Sequence, residues 1–220
     1  MTDLQSASND RAAGLGFIIG AIALIVTMAI HPTAPDLFAP GQMSHAIRLD
    51  VITHSLGLCS IPLLFLGALG LSLHVRPVGR LPIAALVVFG FAAIAVMSAA
   101  IFSGFIAPAI ARQIVAPGSD PSWRMAFHLS GQINQGFALV YVQGSAAAIL
   151  LWSIGMLRSR VVSRGIFVYG TIIAPLILLV VLSGHIRLDV HGFGAIALGQ
   201  GIWFIGTGMW LRNQPHGSAA

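Results

Sequence analysis

Charged residues in this chain are few, and their spacing leaves six long uncharged windows. The windows lie between Arg11 and Asp36, Asp50 and Arg76, Arg80 and Arg112, Arg124 and Arg158, Arg164 and Arg187, and Asp189 and Arg212. Each exceeds the roughly 20 residues that a helix needs to cross about 30 Å of hydrocarbon, so the spacing predicts six membrane crossings. Helices of a soluble core would carry apolar stripes at a 3.6-residue period, whereas these windows are apolar nearly all round. They are also far too long for barrel strands. The expected fold class is all-α, a polytopic membrane protein built as a six-transmembrane-helix bundle.

Composition points the same way. Of 220 residues, 57% are hydrophobic and 8% charged, and the mean hydropathy is +0.91. A water-facing domain of that size would carry about a quarter charged residues. The formal charge of +5 does not indicate nucleic acid, because the arginines sit at the ends of the apolar windows without interleaved aromatics. Every basic residue is arginine, so no phosphate loop with its lysine is present, and neither a Gly-x-Ser-x-Gly elbow nor a His-Glu-x-x-His motif occurs. The start of the chain offers Asp3, Asp10 and only Arg11, which is no basic leader, so the first window reads as a retained anchor rather than a signal peptide. The single cysteine, Cys59, cannot form an intrachain disulfide.

The spans are expected at about 12–31, 47–74, 82–109, 125–156, 165–185 and 190–211, within one membrane domain covering 1–220 and with short disordered ends at about 1–10 and 213–220. Seven arginines (11, 76, 80, 158, 160, 164 and 212) fall on the side of both termini, and four (48, 112, 124 and 187) on the other. The positive-inside rule then predicts a multi-pass protein of the cell (inner) membrane with cytoplasmic N- and C-termini. The longer links, about 32–46 and 110–124, would face outward and are rich in turn formers. Two stretches resemble each other: His45-Ala46-Ile47-Arg48-Leu49-Asp50-Val51 before the second span and His185-Ile186-Arg187-Leu188-Asp189-Val190 before the sixth. A threefold repeat of helix pairs would explain them, as would chance.

Histidines carry the chemical signal. His31, His45, His54, His128, His185 and His191 all map to the outer half, with His74 at the inner side and His216 in the polar tail. Counting 1.5 Å per residue from the interface arginines, His54 lies about 9 Å below Arg48 and His128 about 6 Å below Arg124. Ionisable groups at such depths are expected to face the bundle interior. Asp50 and His54 are four apart and share a helical face. His128, Gln132 and Gln135 form one stripe of the fourth span, which predicts a polar-lined interior, since buried polar groups need partners.

Three uses of these residues follow. His54, His128 and one of His31 or His191, with Asp50 or Asp189 as ligand or orienting carboxylate, suit zinc or another transition metal. Alternatively His54 and His128 ligate haem b from its two faces, with Arg48 and Arg124 near the propionates and Gly57 and Gly131 leaving room for the ring. The third use is ordinary: histidines bonded to loop backbone or lining a hydrated vestibule, in a small-solute transporter or a structural subunit of a membrane complex. Whether the chain is an enzyme stays open at this level. Its partners are the lipid bilayer and, beyond that, a membrane protein or a second copy of itself, with no nucleic acid.

Overall fold

In the computed structural model the described residues are 3–33, 37–38, 41–76, 79–159 and 163–214, with side chains from residue 9 onward. Asp36, Arg160, His216 and most of the expected disordered C-terminal end lie outside them. The described residues are helical with short links: α1 (Asp3–Ala29), α2 (Met43–Val75), α3 (Leu81–Ile114), α4 (Ser122–Ser159), α5 (Arg164–Leu182) and α6 (Val190–Arg212). The expected disordered N-terminal segment is instead helical from Asp3.

Five of these, α1 to α5, are long and apolar enough to cross a membrane. Helix α6 has the length, 23 residues, but its glycines, His191 and Gln200 dilute its apolarity, and it does not meet the same measure. The architecture is therefore an all-α bundle of long apolar helices, consistent with a polytopic membrane protein. Its outer surface fits that reading: Phe91, Ile94, Leu179 and Leu182 are all well exposed on the isolated chain, a surface that water would disfavour and lipid tails would cover.

Helix ends have local causes. Pro82 opens α3, where its fixed φ is suited to the first turn and its missing N–H is not needed. Helix α5 stops at Leu182 because Gly184 takes a positive φ of 72°. The N–H groups of Gly184 and His185 then return to the carbonyls of Val181 and Val180, which is the Schellman closure. His185 consequently lies in the link, its Nδ1 2.7 Å from Ser183 Oγ. Asp120 accepts the backbone N–H of Ser122 at 2.8 Å ahead of α4, and that bond holds its carboxyl below the usual carboxylate range.

Helix α1 packs between α2 and α6, α3 lies along α4, and α5 along α4. Gly14 meets the backbone of Gly208 and Arg212 so closely that a Cβ would collide, the small-residue packing that lets membrane helices approach. At this end His74 lies 3.1 Å from Asp10. The start of α1 and the ends of α2 and α6 therefore share one end of the bundle. Ser72 Oγ donates to the Pro82 carbonyl and accepts from Trp152 Nε1 at 2.9 Å, adding the start of α3 and the last part of α4 to the same end. Above it Trp152 and Trp203 stack at 5.9 Å, and Gln200 of α6 bonds Ser145 of α4 at 2.9 Å. The opposite end holds His31, His54, His128 and His191.

A candidate metal centre

Three elements build the site. Helix α1 ends at Ala29, and Pro32 disfavours helical backbone at the residue before it, so the chain turns away at His31, beside the first turns of α2. Helix α2 carries Asp50 and His54 one turn apart on its inward face, 4% and 5% exposed. Opposite them, α3 changes form. Pro108 has no N–H to bond the carbonyl four residues back, which belongs to Gly104, and its ring would clash there in regular α-helix. Residues Phe102–Ile106 form a π-helical turn, with the Ala107 N–H bonded to the Phe102 carbonyl. Gly104 faces the imidazole: a Cβ built there would overlap Cβ and Cγ of His54 and stand 2.7 Å from its Nδ1. The ring can occupy its position only because residue 104 has no side chain.

The ring nitrogens are ordered by acceptors. His54 Nδ1 lies 2.8 Å from the Asp50 carbonyl oxygen and 3.0 Å from Asp50 Oδ1. His31 Nδ1 lies 2.6 Å from the Pro32 carbonyl oxygen. Oxygens of these kinds accept, so both rings donate from Nδ1 and keep lone pairs on Nε2 when neutral. Those two Nε2 atoms face each other at 3.1 Å, with ring centroids 4.7 Å apart. Two lone pairs so placed repel, and a cation between them removes the conflict.

One donor atom each from His31, Asp50 and His54 lies within 4.8 Å of the others. Two ligands about 2.1 Å from one ion can be about 4.2 Å apart at most, so the group needs to close by only about half an ångström. The 3.1 Å between the Nε2 atoms already corresponds to a nitrogen–metal–nitrogen angle of about 95° for 2.1 Å bonds. Among the described residues, this buried His/Asp cluster is able to coordinate a transition-metal ion.

The remaining expected site residues take other places. A cavity of about 720 Å³ adjoins the cluster, and His128, Gln132, Gln135, Asp189 and His191 line it with His31, Asp50 and His54. His128, Gln132, Gln135, Asp189 and His191 are exposed rather than enclosed, so the polar stripe of α4 is a cavity wall. None of the five belongs to the close donor group. Asp189 caps α6, accepting the Gly192 N–H at 2.9 Å, and Gln135 Nε2 donates to the Leu188 carbonyl at 3.0 Å. Gly57 and Gly131 line the cavity as well, and Gly131 faces open space. Arg48 and Arg124 are exposed and do not line it.

Sequence reasoning missed Gly104, whose only signal is a proline four residues later. It also missed Thr27 and Ser130, which line the cavity with buried hydroxyls that have no hydrogen-bond partner among the described residues. Such orphaned groups at a cavity wall suit a ligand or ordered water.

Comparison of the chain with protein-family models, with curated proteins and with solved structures returned no match. What fold and site define is a class: a helical protein rich in candidate membrane spans, with a buried His31/Asp50/His54 cluster fit for a metal ion.

Proposed function

We propose that this chain is a six-span membrane protein with cytoplasmic termini that binds one transition-metal ion, zinc first among the candidates, at its extracytoplasmic end. His31 and His54 supply Nε2, and Asp50 orients His54 through Nδ1 while offering a carboxylate oxygen. The observation that carries this reading is the 3.1 Å approach of the two Nε2 atoms, with Nδ1 of each ring set against an acceptor oxygen on its other side. Three protein donors leave a fourth position for water or a ligand, as in zinc sites that run hydrolysis, where the metal brings the pKa of its water to about 7. The sixth crossing is supported by the antiparallel packing of α6 on α1, with Gly14 against Gly208 and Gly201 against Ile25, and by the burial of its Gln200 against Ser145. Haem b draws no support from the geometry, since His31 stands against the nitrogen that an iron on His54 would use and neither Arg48 nor Arg124 lines the cavity.

The test is metal content and cobalt spectroscopy of the purified protein, as cobalt absorption reports ligand number. One ion per chain is expected, lost in His31→Ala and in His54→Ala and kept in His185→Ala. A second reading is favoured by the same distance, which also suits an N–H···N bond: the two rings share one proton. A wild-type protein that takes up no stoichiometric metal when reconstituted would leave that reading standing and remove the first.

A further inference from the structure

The cavity is polar only at the cluster end. Along α2, Ile61 lies seven residues, or about 10 Å, past His54 on the same face, and with Leu24, Leu58 and Val96 it makes the inner wall apolar. Ile61 also lines a second space, a groove of about 410 Å³ between α2 and α3 whose other walls include Pro62, Phe65, Gly90, Phe91 and Met97. All of these side chains are apolar. Phe65, Phe91 and Met97 are exposed on the isolated chain, so the groove opens on the surface that faces lipid. The buried Ile61 side chain thus lines both the metal-adjacent cavity, at its apolar inner part, and the apolar groove that faces the bilayer.

A ligand that used only the polar end of the cavity would have no need of the groove. A bilayer acyl chain resting in the groove would have no need of the cluster. The shared wall at Ile61 joins them, and we propose that the ligand of this site is an amphiphile, a metal-coordinating oxygen headgroup on a linear apolar chain. The head meets the ion at His31 and His54, and the chain passes Ile61 into the groove between α2 and α3. The orphaned hydroxyls of Thr27 and Ser130 supply donors for the head. This inference rests on the metal reading above.

The experiment uses the cobalt-loaded full chain in lipid nanodiscs and two probes, acetohydroxamate and dodecanohydroxamate, each read by the change in cobalt absorption. Gly90 is the place to block the groove. A Cβ there would sit 3.6 Å from Phe65 Cε2, so Gly90→Ala fits, whereas Gly90→Leu fills the channel. Gly90→Leu is expected to weaken dodecanohydroxamate at least tenfold and leave acetohydroxamate unchanged, with Gly90→Ala matching the wild type. Because all variants sit in the same bilayer, partition of the long chain cancels. Met97→Trp blocks the groove from its lipid side and serves if Gly90→Leu does not fold. Equal weakening of both probes, or of neither, overturns the amphiphile while leaving the metal site intact. Absence of any cobalt spectrum fails the metal site itself, and this inference with it.

Discussion

Gly104→Ala is the substitution by which the π-helical turn can be tested as the seat of His54. A methyl carbon needs about 3.5 Å or more to its neighbours, and here it would stand 2.7 Å from Nδ1 and overlap Cβ and Cγ. The imidazole would have to retreat by about 1 Å, roughly twice the tolerance of about 0.5 Å for a working ligand geometry. Overpacking of this kind costs about 1–3 kcal/mol of folding stability. Misplacing a metal-binding imidazole costs about 10–100-fold in affinity, or about 1.4–2.7 kcal/mol. Gly131→Ala is the matched control, since a Cβ there meets open space; helix propensity predicts a gain of up to about 1 kcal/mol from it. Metal titration followed by cobalt absorption, with melting temperature read in parallel, separates the two effects. If Gly104→Ala binds metal within twofold of the wild type, the ring does not depend on the missing side chain and the geometric argument is refuted.

Asp50→Asn keeps an oxygen to accept from His54 Nδ1 and removes the negative charge; metal affinity is expected to fall about 10–100-fold without loss of helical content, by isothermal titration and circular dichroism. Because binding needs both imidazoles free of a proton on Nε2, uptake should release protons and weaken on acidification, which a pH-dye titration reads directly. Ser145→Ala should cost about 1–3 kcal/mol by leaving the Gln200 amide buried without its partner, whereas Gln200→Leu should cost less, since Ser145 keeps its bond to the Tyr141 carbonyl; equal losses in thermal unfolding would count against this. Reporters fused at Gly79 and at the C-terminus should report cytoplasm and one at Gly118 the outside, and a single inverted result would remove a span or flip the protein.

The long apolar helices were legible because hydrocarbon sets a length and charge marks its limits, and five of the six expected spans are long and apolar enough to cross a membrane. Helices α3 and α4 run through the windows bounded by Arg80 and Arg112 and by Arg124 and Arg158, and Pro108 in the first of them is met by a π-helical turn rather than by an end of the helix. Helix α6 shows where the rule loses force. Its Gln200 and glycines are acceptable because the residues face protein, Gln200 against Ser145 and Gly208 against Gly14, and mean apolarity does not register which face a residue takes.

The site was half legible, and the dividing line is sequence distance. Asp50 and His54 are one turn apart on a helix, so their pairing follows from helix geometry alone. His31 reaches His54 only because Pro32 ends α1 at that level and α1 packs antiparallel on α2, Ala13 meeting Gly70 and Thr27 meeting Gly57, a contact across 23 residues that no periodicity encodes. The two similar stretches around Asp50 and Asp189 show how little the local string decides. Asp50 lies within α2, buried beneath the His54 ring, whereas Asp189 stands before α6 and caps it. The difference lies upstream: α2 begins at Met43, seven residues before Asp50, while the Schellman closure at Gly184 delays α6 until Val190. The same aspartate, placed inside one helix and at the threshold of another, orients a histidine in the first case and satisfies a backbone amide in the second.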